Sequence, residues 1–535
     1  MFHIMMKKIN KAAVFLLATP SLLTAGVQAK PEKRPNVLFI QCDQLNLMAL
    51  SCYGGSINTP NIDRLAREGV RFTDAVCSTP ISSPARGSMV TGLYPHQNGV
   101  VGNIDNELGL PHDYPVTDMF LNRAGYSTHL YGKWHLEYDG TTREMGLDYY
   151  PDPYTYERQY RDEFRPVFNE WMDSDKGEWM DYYGLHFPVE LSKEWLEIRP
   201  HLVEAIGDNP SRDLATKMGR FRGKESQWLD AISTAKTLER LDSCKASGKP
   251  FSITCSYIWP HDPNFIHNPY YEDFKPEDFT PSQVDTIEDL FKKDFGYRLA
   301  EAIGDKGKRE FLRIYYGAVK CIDDQIGLLY DRLIRNGQLD NTIIIFTADH
   351  GDMLTCHSMI WKSTTAFYRE IVNVPLIIRY PAAFGASVCD AQVCHLDIPA
   401  TIFALTNQKM PWKGEGFSLV PLMQGKMKAA DFRKYNFCER VRADHTTPGV
   451  VRGVGPASTG AFMVQSAQWK YMIYPSGHEY LYDRILDPAE TKNLVADPAE
   501  AKIKEELHDV IRNWLLATGW KGVNPSTPQS ADTNS

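Results

Sequence analysis

Four apolar runs in this chain each stop at a cluster of polar residues. Val37-Leu38-Phe39-Ile40 leads through Gln41-Cys42 to Asp43-Gln44, and Thr128-His129-Leu130-Tyr131 leads to Gly132-Lys133-Trp134-His135. Residues 251–257 lead to Pro260-His261, and residues 342–347 lead to Asp349-His350-Gly351. A short, continuously apolar run fits a strand buried on both faces. Between these runs lie helix-like stretches at 59–68 and 315–336. In the second, Val319, Ile322, Ile326, Leu329 and Leu333 recur at helical spacing. Strands alternating with helices predict an α/β fold with a mostly parallel sheet between helices. Such sheets bind ligands at the carboxyl ends of their strands. The four polar clusters are therefore expected to meet at one site. A single cluster could be ordinary loop chemistry; four in the same place on four strands could not.

The remaining segments divide the chain. Lys7, Lys8 and Lys11 precede an apolar run from Ala12 to Leu23, and Val27-Gln28-Ala29 fits a cleavage site. Residues 1–29 read as a signal peptide removed on export to the periplasm or beyond, with a retained anchor as the alternative. No later run is apolar for the ~20 residues a membrane span needs, so no stable membrane insertion is expected. Residues 30–425 read as the main domain. Within it, 150–228 is rich in Tyr, Trp, Asp and Arg and reads as a variable insertion that shapes a cleft. Residues 426–518 read as a small subdomain with an antiparallel sheet, including Trp469–Tyr474 and Tyr480–Asp483, and a final helix over 499–516. The Ser/Thr/Pro-rich stretch 519–535 reads as a disordered tail. The formal charge of −9 argues against nucleic acid, so an anionic ligand would need a locally basic site. Ten cysteines without CxxC spacing give neither a disulfide scaffold nor a zinc motif.

The most informative segment is Ser82-Ser83-Pro84-Ala85-Arg86, followed by Gly87-Ser88-Met89-Val90-Thr91-Gly92. Ser83 suits an N-cap, Pro84 the first helical position and Gly92 a stop. Ser82 would then stand just ahead of a helix N-terminus, which favours negative charge. Arg86, one turn in, can point back to the same place.

This string, with its trailing Val90-Thr91-Gly92, resembles the sulfatase signature [Cys/Ser]-x-Pro-[Ser/Ala]-Arg. The resemblance continues in order through Pro35-Asn36-Val37-Leu38, Thr59–Leu65, Ala124-Gly125-Tyr126, Gly132–Leu136, Pro260–Pro263 and Asp349-His350-Gly351. It ends with Leu481-Tyr482-Asp483, Asp487-Pro488, Glu490 and Asn493-Leu494. It implies an alkaline-phosphatase-like sandwich: a large mixed, mostly parallel central sheet between helices, plus a small C-terminal α+β subdomain. It also implies that Ser82 is oxidised to formylglycine by an anaerobic maturase before folding and export. Chemistry gives the reason. A serine that attacked sulfur would leave a stable alkyl sulfate on the enzyme. A hydrated aldehyde has a second hydroxyl, whose deprotonation expels the sulfate.

By the same resemblance Asp43, Gln44, Asp349 and His350, with residue 82, hold a divalent metal. Calcium is expected, with Mg2+ and Mn2+ as alternatives. Many relatives carry Asp and Asn where this chain has Gln44 and His350. The Asp-Gln and Asp-His pairs resemble choline sulfatases and phosphonate monoester hydrolases. Lys133 and Lys362 match the lysines that hold sulfate oxygens, and Asn103 is a further candidate contact. His135 matches the base of the elimination step, and His261 the acid that protonates the leaving alcohol. His357, Glu370 and Asp397 fit packing roles. The implied substrate is a sulfated saccharide: a glycosaminoglycan, mucin or algal glycan fragment. A phosphonate or phosphate ester hydrolase of the same superfamily is the competing reading. A catalytically dead glycan-binding protein with unmodified Ser82 is the reading from another class.

Overall fold

Buried strands with no polar face can pair only in the middle of a sheet, and the four apolar runs do. In a computed structural model the chain is described over residues 33–104, 110, 114–136, 148–150, 178–182, 185–206, 216–363, 365–443 and 457–522. The expected signal peptide, the tail beyond 522 and residues 151–177 of the expected insertion lie outside these. The strands of the central sheet are β1 (Asn36–Asp43), β2 (Val70–Val76), β3 (Ser127–Gly132), β4 (Asp148–Tyr150), β8 (Phe251–Pro260), β10 (Thr342–Ala348), β11 (Asn373–Arg379), β12 (Ser387–Cys389) and β13 (Val393–Cys394). Their order is β12-β2-β11-β10-β1-β8-β3-β4, with β13 also on β2. The four predicted strands are thus four neighbours, β10-β1-β8-β3, all parallel. β11 runs antiparallel to β10 and β2, which makes the sheet mixed but mostly parallel.

Register decides which side chains meet. Cys42 pairs with Ala348, so Asp43 and Asp349 leave the sheet side by side. Gln41 pairs with Ser256 and Gly132 also pairs with Ser256, so Lys133 emerges on the same edge. A bulge after Cys42 sets Asp43 opposite Pro260 and carries His261 just beyond it.

Helices cover the sheet. α1 (Pro60–Glu68) starts at a proline and stops at Gly69. α2 is Ser82–Thr91. α4 (Leu229–Ser247) and α5 (Phe295–Arg335) pack on the sheet with α3 (Lys193–Ile206) against α5. α5 begins twenty residues earlier than the apolar stripe predicts. The five charged residues among 305–310 obscure the pattern, and Gly304, at φ 59°, interrupts the helical backbone.

The expected insertion carries more order than its composition suggests. β5 (Glu178–Tyr182), β6 (Leu185–Leu191) and β7 (Met218–Phe221) form a second sheet, closed by β9 (Asn264–Ile266) from outside it. β9 follows His261 directly, so this sheet is tied to the rim of the site. The C-terminal part has the expected antiparallel sheet, order β14-β15-β16-β17, over Asn436–Ala443, Ala457–Gln465, Trp469–Ile473 and Glu479–Asp483. α6 (Ala501–Ala517) packs its Leu507, Ile511, Trp514 and Leu515 into a core with Phe462, Val464, Tyr471 and Leu481. The described residues from 35 onward nevertheless form one compact unit. All ten cysteines are unpaired thiols. No described helix is long and apolar enough to cross a membrane.

Gly132 shows how tightly the sheet edge is set. Its φ is +97°, and a Cβ there would lie 1.9 Å from the Ser256 carbonyl oxygen. Gly132→Ala is expected to cost about 1–3 kcal/mol in backbone strain and displacement, read as a lower thermal midpoint together with lost activity, since Lys133 follows directly. An unchanged midpoint would contradict this close approach of β3 and β8.

Candidate active site

The site is built around α2, and its start differs from the expectation. Ile81 is the cap residue and Ser82 is already the first helical position. Ser83 does not cap its own helix. Its Oγ accepts a hydrogen bond from the Ile104 amide (3.2 Å), and its own amide donates to Asn103 Oδ1 (3.3 Å). The tertiary partner at 103–104 outcompetes the local cap. Gly92 ends the helix as expected, at φ 69°, its amide on the Ser88 carbonyl. Asn103 is placed beside the first turn by this bond.

Ser82 Oγ lies 3.3 Å from Asp43 Oδ1 and 3.1 Å from His350 Nε2. Arg86, 1% exposed, uses its whole fork. Nε donates to Asp349 Oδ2 (2.9 Å), Nη2 to Asp43 Oδ2 (3.3 Å), and Nη1 to the Lys133 carbonyl (2.7 Å) and Ser256 Oγ (2.8 Å). Lys133 Nζ sits 2.5 Å from Asp43 Oδ2. Burial alone would raise the Asp43 carboxyl; Lys133, His261, Arg86 and Lys362 together hold it well below the usual carboxylate range. Asp43 is thus a carboxylate, as an ion-pairing or metal-binding oxygen must be.

Asp43, Asp349 and His350 form a buried group whose ligand atoms all lie within 4.8 Å of one another and could hold a metal ion. Two details test the fit. His350 Nδ1–H donates to the Gly351 carbonyl (2.9 Å), which leaves the Nε2 lone pair facing the carboxylates. Burial pushes His350 down to about 4, so its imidazole is neutral. Gln44 Nε2 donates to Asp352 Oδ2 (2.7 Å), while Gln44 Oε1 is buried with no hydrogen-bond partner among the described residues. An orphaned amide oxygen beside two carboxylates and a neutral imidazole fits a hard divalent cation. Gln44 is held at φ 63° by its amide on Asp349 Oδ1 (3.0 Å) and by Tyr315, whose hydroxyl donates to the Gln44 carbonyl (2.6 Å). Such left-handed backbone at a non-glycine residue is strained and needs this support.

The remaining candidates lie on the outer side. Lys362 Nζ is 2.7 Å from His261 Nε2, and His261 Nδ1 is 2.7 Å from the Asp262 carbonyl. Burial lowers both groups, and the Lys362 ammonium lowers the His261 imidazole further. His135, at φ 62°, is buried with no hydrogen bond to Nδ1 among the described residues. Burial, then Lys133 and Arg86, push its imidazole well below the usual range. It is a neutral base next to cations.

Several residues escaped the sequence reading. Ser256 links Arg86 to the Lys133 carbonyl, to which it donates (2.6 Å), and accepts from Gln41 Nε2 (3.1 Å). Its only signal was a hydroxyl inside an apolar strand. Asp352 orients Gln44, and burial pushes it up to about 7. Asp230 accepts the Ile258 (2.7 Å) and Trp259 (3.0 Å) amides and so holds the strand end before His261. It sits at a helix start with no motif around it. His357, Glu370 and Asp397 stay outside the site. Asp397, for example, accepts the Arg433 fork and the Cys394 and Phe417 amides.

Arg86 answers two buried carboxylates at once. Arg86→Met is expected to cost about 3–5 kcal/mol, because Asp43 and Asp349 would lose their shared counter-charge. Arg86→Lys should recover little, since one ammonium cannot make four directed contacts. Thermal or denaturant unfolding of both variants checks this; a Lys variant of full stability would show that the fork geometry is not needed.

Comparisons with known proteins agree with this geometry. The sulfatase family profile matches residues 35–408, and the N-sulphoglucosamine sulphohydrolase C-terminal profile matches 359–515. The N-acetylglucosamine-6-O-sulfatase of Bacteroides thetaiotaomicron is 30% identical over 543 residues, covering 94% of this chain and 90% of its own. A solved structure holding its substrate D-glucosamine-2-N,6-O-disulfate superposes with a TM-score of 0.67 at 22% identity, covering 91% of this chain and 98% of that one. A phosphonate monoester hydrolase of Agrobacterium radiobacter shares the fold equally, with a TM-score of 0.68 at 22% identity over 91% of this chain and 96% of its own. The chain belongs to the sulfatase family and is a sulfuric ester hydrolase.

Proposed function

We propose that the protein removes a sulfate ester from a carbohydrate, using residue 82 as nucleophile after oxidation of Ser82 to formylglycine. The observation that carries this is the position of Ser82 Oγ. It stands at the first turn of α2, within 3.3 Å of Asp43 and 3.1 Å of His350. Helix amides, Arg86 and Lys133 surround the same point with positive charge. The saccharide is inferred from the N-acetylglucosamine-6-O-sulfatase likeness.

In this reading Asp43, Gln44, Asp349 and His350, with residue 82, hold a divalent cation, calcium by its oxygen-rich donors. When bound, the cation would polarise a sulfate oxygen and acidify the attacking hydroxyl. Lys133 and Lys362 bind the other sulfate oxygens, with Asn103 a further contact. His135, kept neutral, takes the proton of the elimination step. His261 donates to the leaving alcohol through Nε2. Lys362 occupies that atom in the free enzyme, and an incoming sulfate would draw the ammonium away and favour protonation of the imidazole. The chain is exported with loss of residues 1–29 and acts in the periplasm or outside the cell, after an anaerobic maturase has modified Ser82.

A second reading rests on Gln44 and His350, the pair that resembles choline sulfatases and phosphonate monoester hydrolases. Turnover of matched aryl sulfate and aryl phosphonate by the matured enzyme decides between them, with sulfate preferred here.

Two outcomes are expected. Protein made with a maturase should show a residue-82 peptide lighter by roughly 2 Da, an alcohol oxidised to an aldehyde at the covalent nucleophile. Full activity from wholly unmodified Ser82 would end the formylglycine reading. His261→Ala should slow hydrolysis of a sulfated sugar by ~10²–10⁴-fold, and that of nitrophenyl sulfate far less, because an aryl oxygen leaves without a proton. Equal losses on both substrates would move the acid to another residue.

A further inference from the structure

A second cluster of metal-ligating side chains includes His267, six residues along the chain from His261. Glu225, His267 and Cys321 offer a carboxylate oxygen, an imidazole nitrogen and a thiol sulfur, all within 4.8 Å of one another. They come from three elements: the short turn Glu225–Gln227 that leads into α4, the residue after β9, and the middle of α5. His267 and Cys321 are buried, and Glu225 is half-buried, which leaves a path from solvent.

The geometry matches coordination. His267 Nδ1–H donates to the Asn268 carbonyl (2.9 Å), the second-sphere bond that fixes a ligating imidazole. This turns the Nε2 lone pair toward Cys321 Sγ, 3.7 Å away. Tetrahedral zinc, with Zn–S near 2.3 Å and Zn–N near 2.0 Å, would hold these atoms about 3.5 Å apart. Gln325 Nε2 donates to Glu225 Oε1, which orients the carboxylate. Burial keeps His267 neutral, as a ligand must be. Burial also raises the Cys321 thiol, so a cation would have to displace its proton to solvent.

We infer that Glu225, His267 and Cys321 form a zinc site distinct from the catalytic cation site, with a fourth position open to water. It would staple the Glu225 turn and the segment after β9 to α5, on the side from which Asp230 and His261 are held. The donor set separates the two sites: a thiolate selects zinc or cobalt, whereas the oxygen-rich catalytic group suits calcium.

The test uses the full-length protein stripped of metal and reloaded with Co2+ in the presence of Ca2+. A thiolate-to-cobalt charge-transfer absorption is expected in the wild type and in Asp349→Ala. It should vanish in Cys321→Ser, and His267→Ala should weaken Zn2+ binding at least tenfold by competition with a chelating dye. Alkylation with peptide mapping should find Cys321 protected by Zn2+ and not by Ca2+, a measurement that needs no variant. No charge-transfer band in the wild type, a band kept by Cys321→Ser, or no zinc protection of Cys321 would each overturn the site and leave a plain thiol–imidazole hydrogen bond. None of these readouts depends on turnover, so they stand or fall apart from the carbohydrate reading.

Discussion

One guanidinium holds the centre of this protein together. Arg86 bonds Asp349 and Asp43 from one fork and the Lys133 carbonyl from its other nitrogen, which ties α2 to β10, β1 and β3 at once. Two carboxylates with no exposure would otherwise repel each other where solvent cannot screen them. Packing hydrophobic residues there could be equally stable, but it could not present carboxylate oxygens to a cation. The arrangement therefore reads as stability given over to chemistry.

The charge balance around that fork explains how an acidic protein can attract an anion. The whole chain carries −9. At the sheet edge, Arg86, Lys133 and Lys362 face Asp43 and Asp349, while burial raises Asp352 toward its neutral form. His135 and His350 are pushed downward by burial, so they contribute lone pairs rather than charge. A locally positive cradle in a negative surface focuses attraction on one place and discourages extended polyanions elsewhere. The strain gathers here too. Gln44, His135 and Trp361, beside Lys362, all have positive φ, held by contacts on every side.

The two outer sheets are fastened to this centre by polar ties as well as by packing. The second sheet borrows β9 from the segment that carries His261, so movement of that sheet would be felt at His261. The C-terminal sheet is joined through the fully buried Lys470–Glu490 pair, with Lys470 also donating to the Phe367 carbonyl, and through Glu439, which takes both the amide and the imidazole of His96. Half-satisfied polar groups at such a boundary would be costly. Their pairing explains why the described residues from 35 onward form one unit despite separate apolar cores.

Local sequence determined a great deal. A strand buried on both faces must be apolar throughout, so its end shows wherever polarity returns, and Asp43, Lys133, His261 and Asp349 were all legible for that reason. Ser82 and Arg86 were legible because one helical turn sets their spacing. The tertiary structure decided what depends on partners far along the chain. Register across strands some 300 residues apart brought Asp43 beside Asp349. The 103–104 segment took Ser83 away from its predicted cap. Ser256, Asp230, Asp352 and the Glu225–His267–Cys321 cluster gained meaning only from neighbours that no periodicity announces. Periodicity and caps express the chain's local geometry, whereas pairing register and buried polar partners are chosen by long-range packing that leaves no local mark.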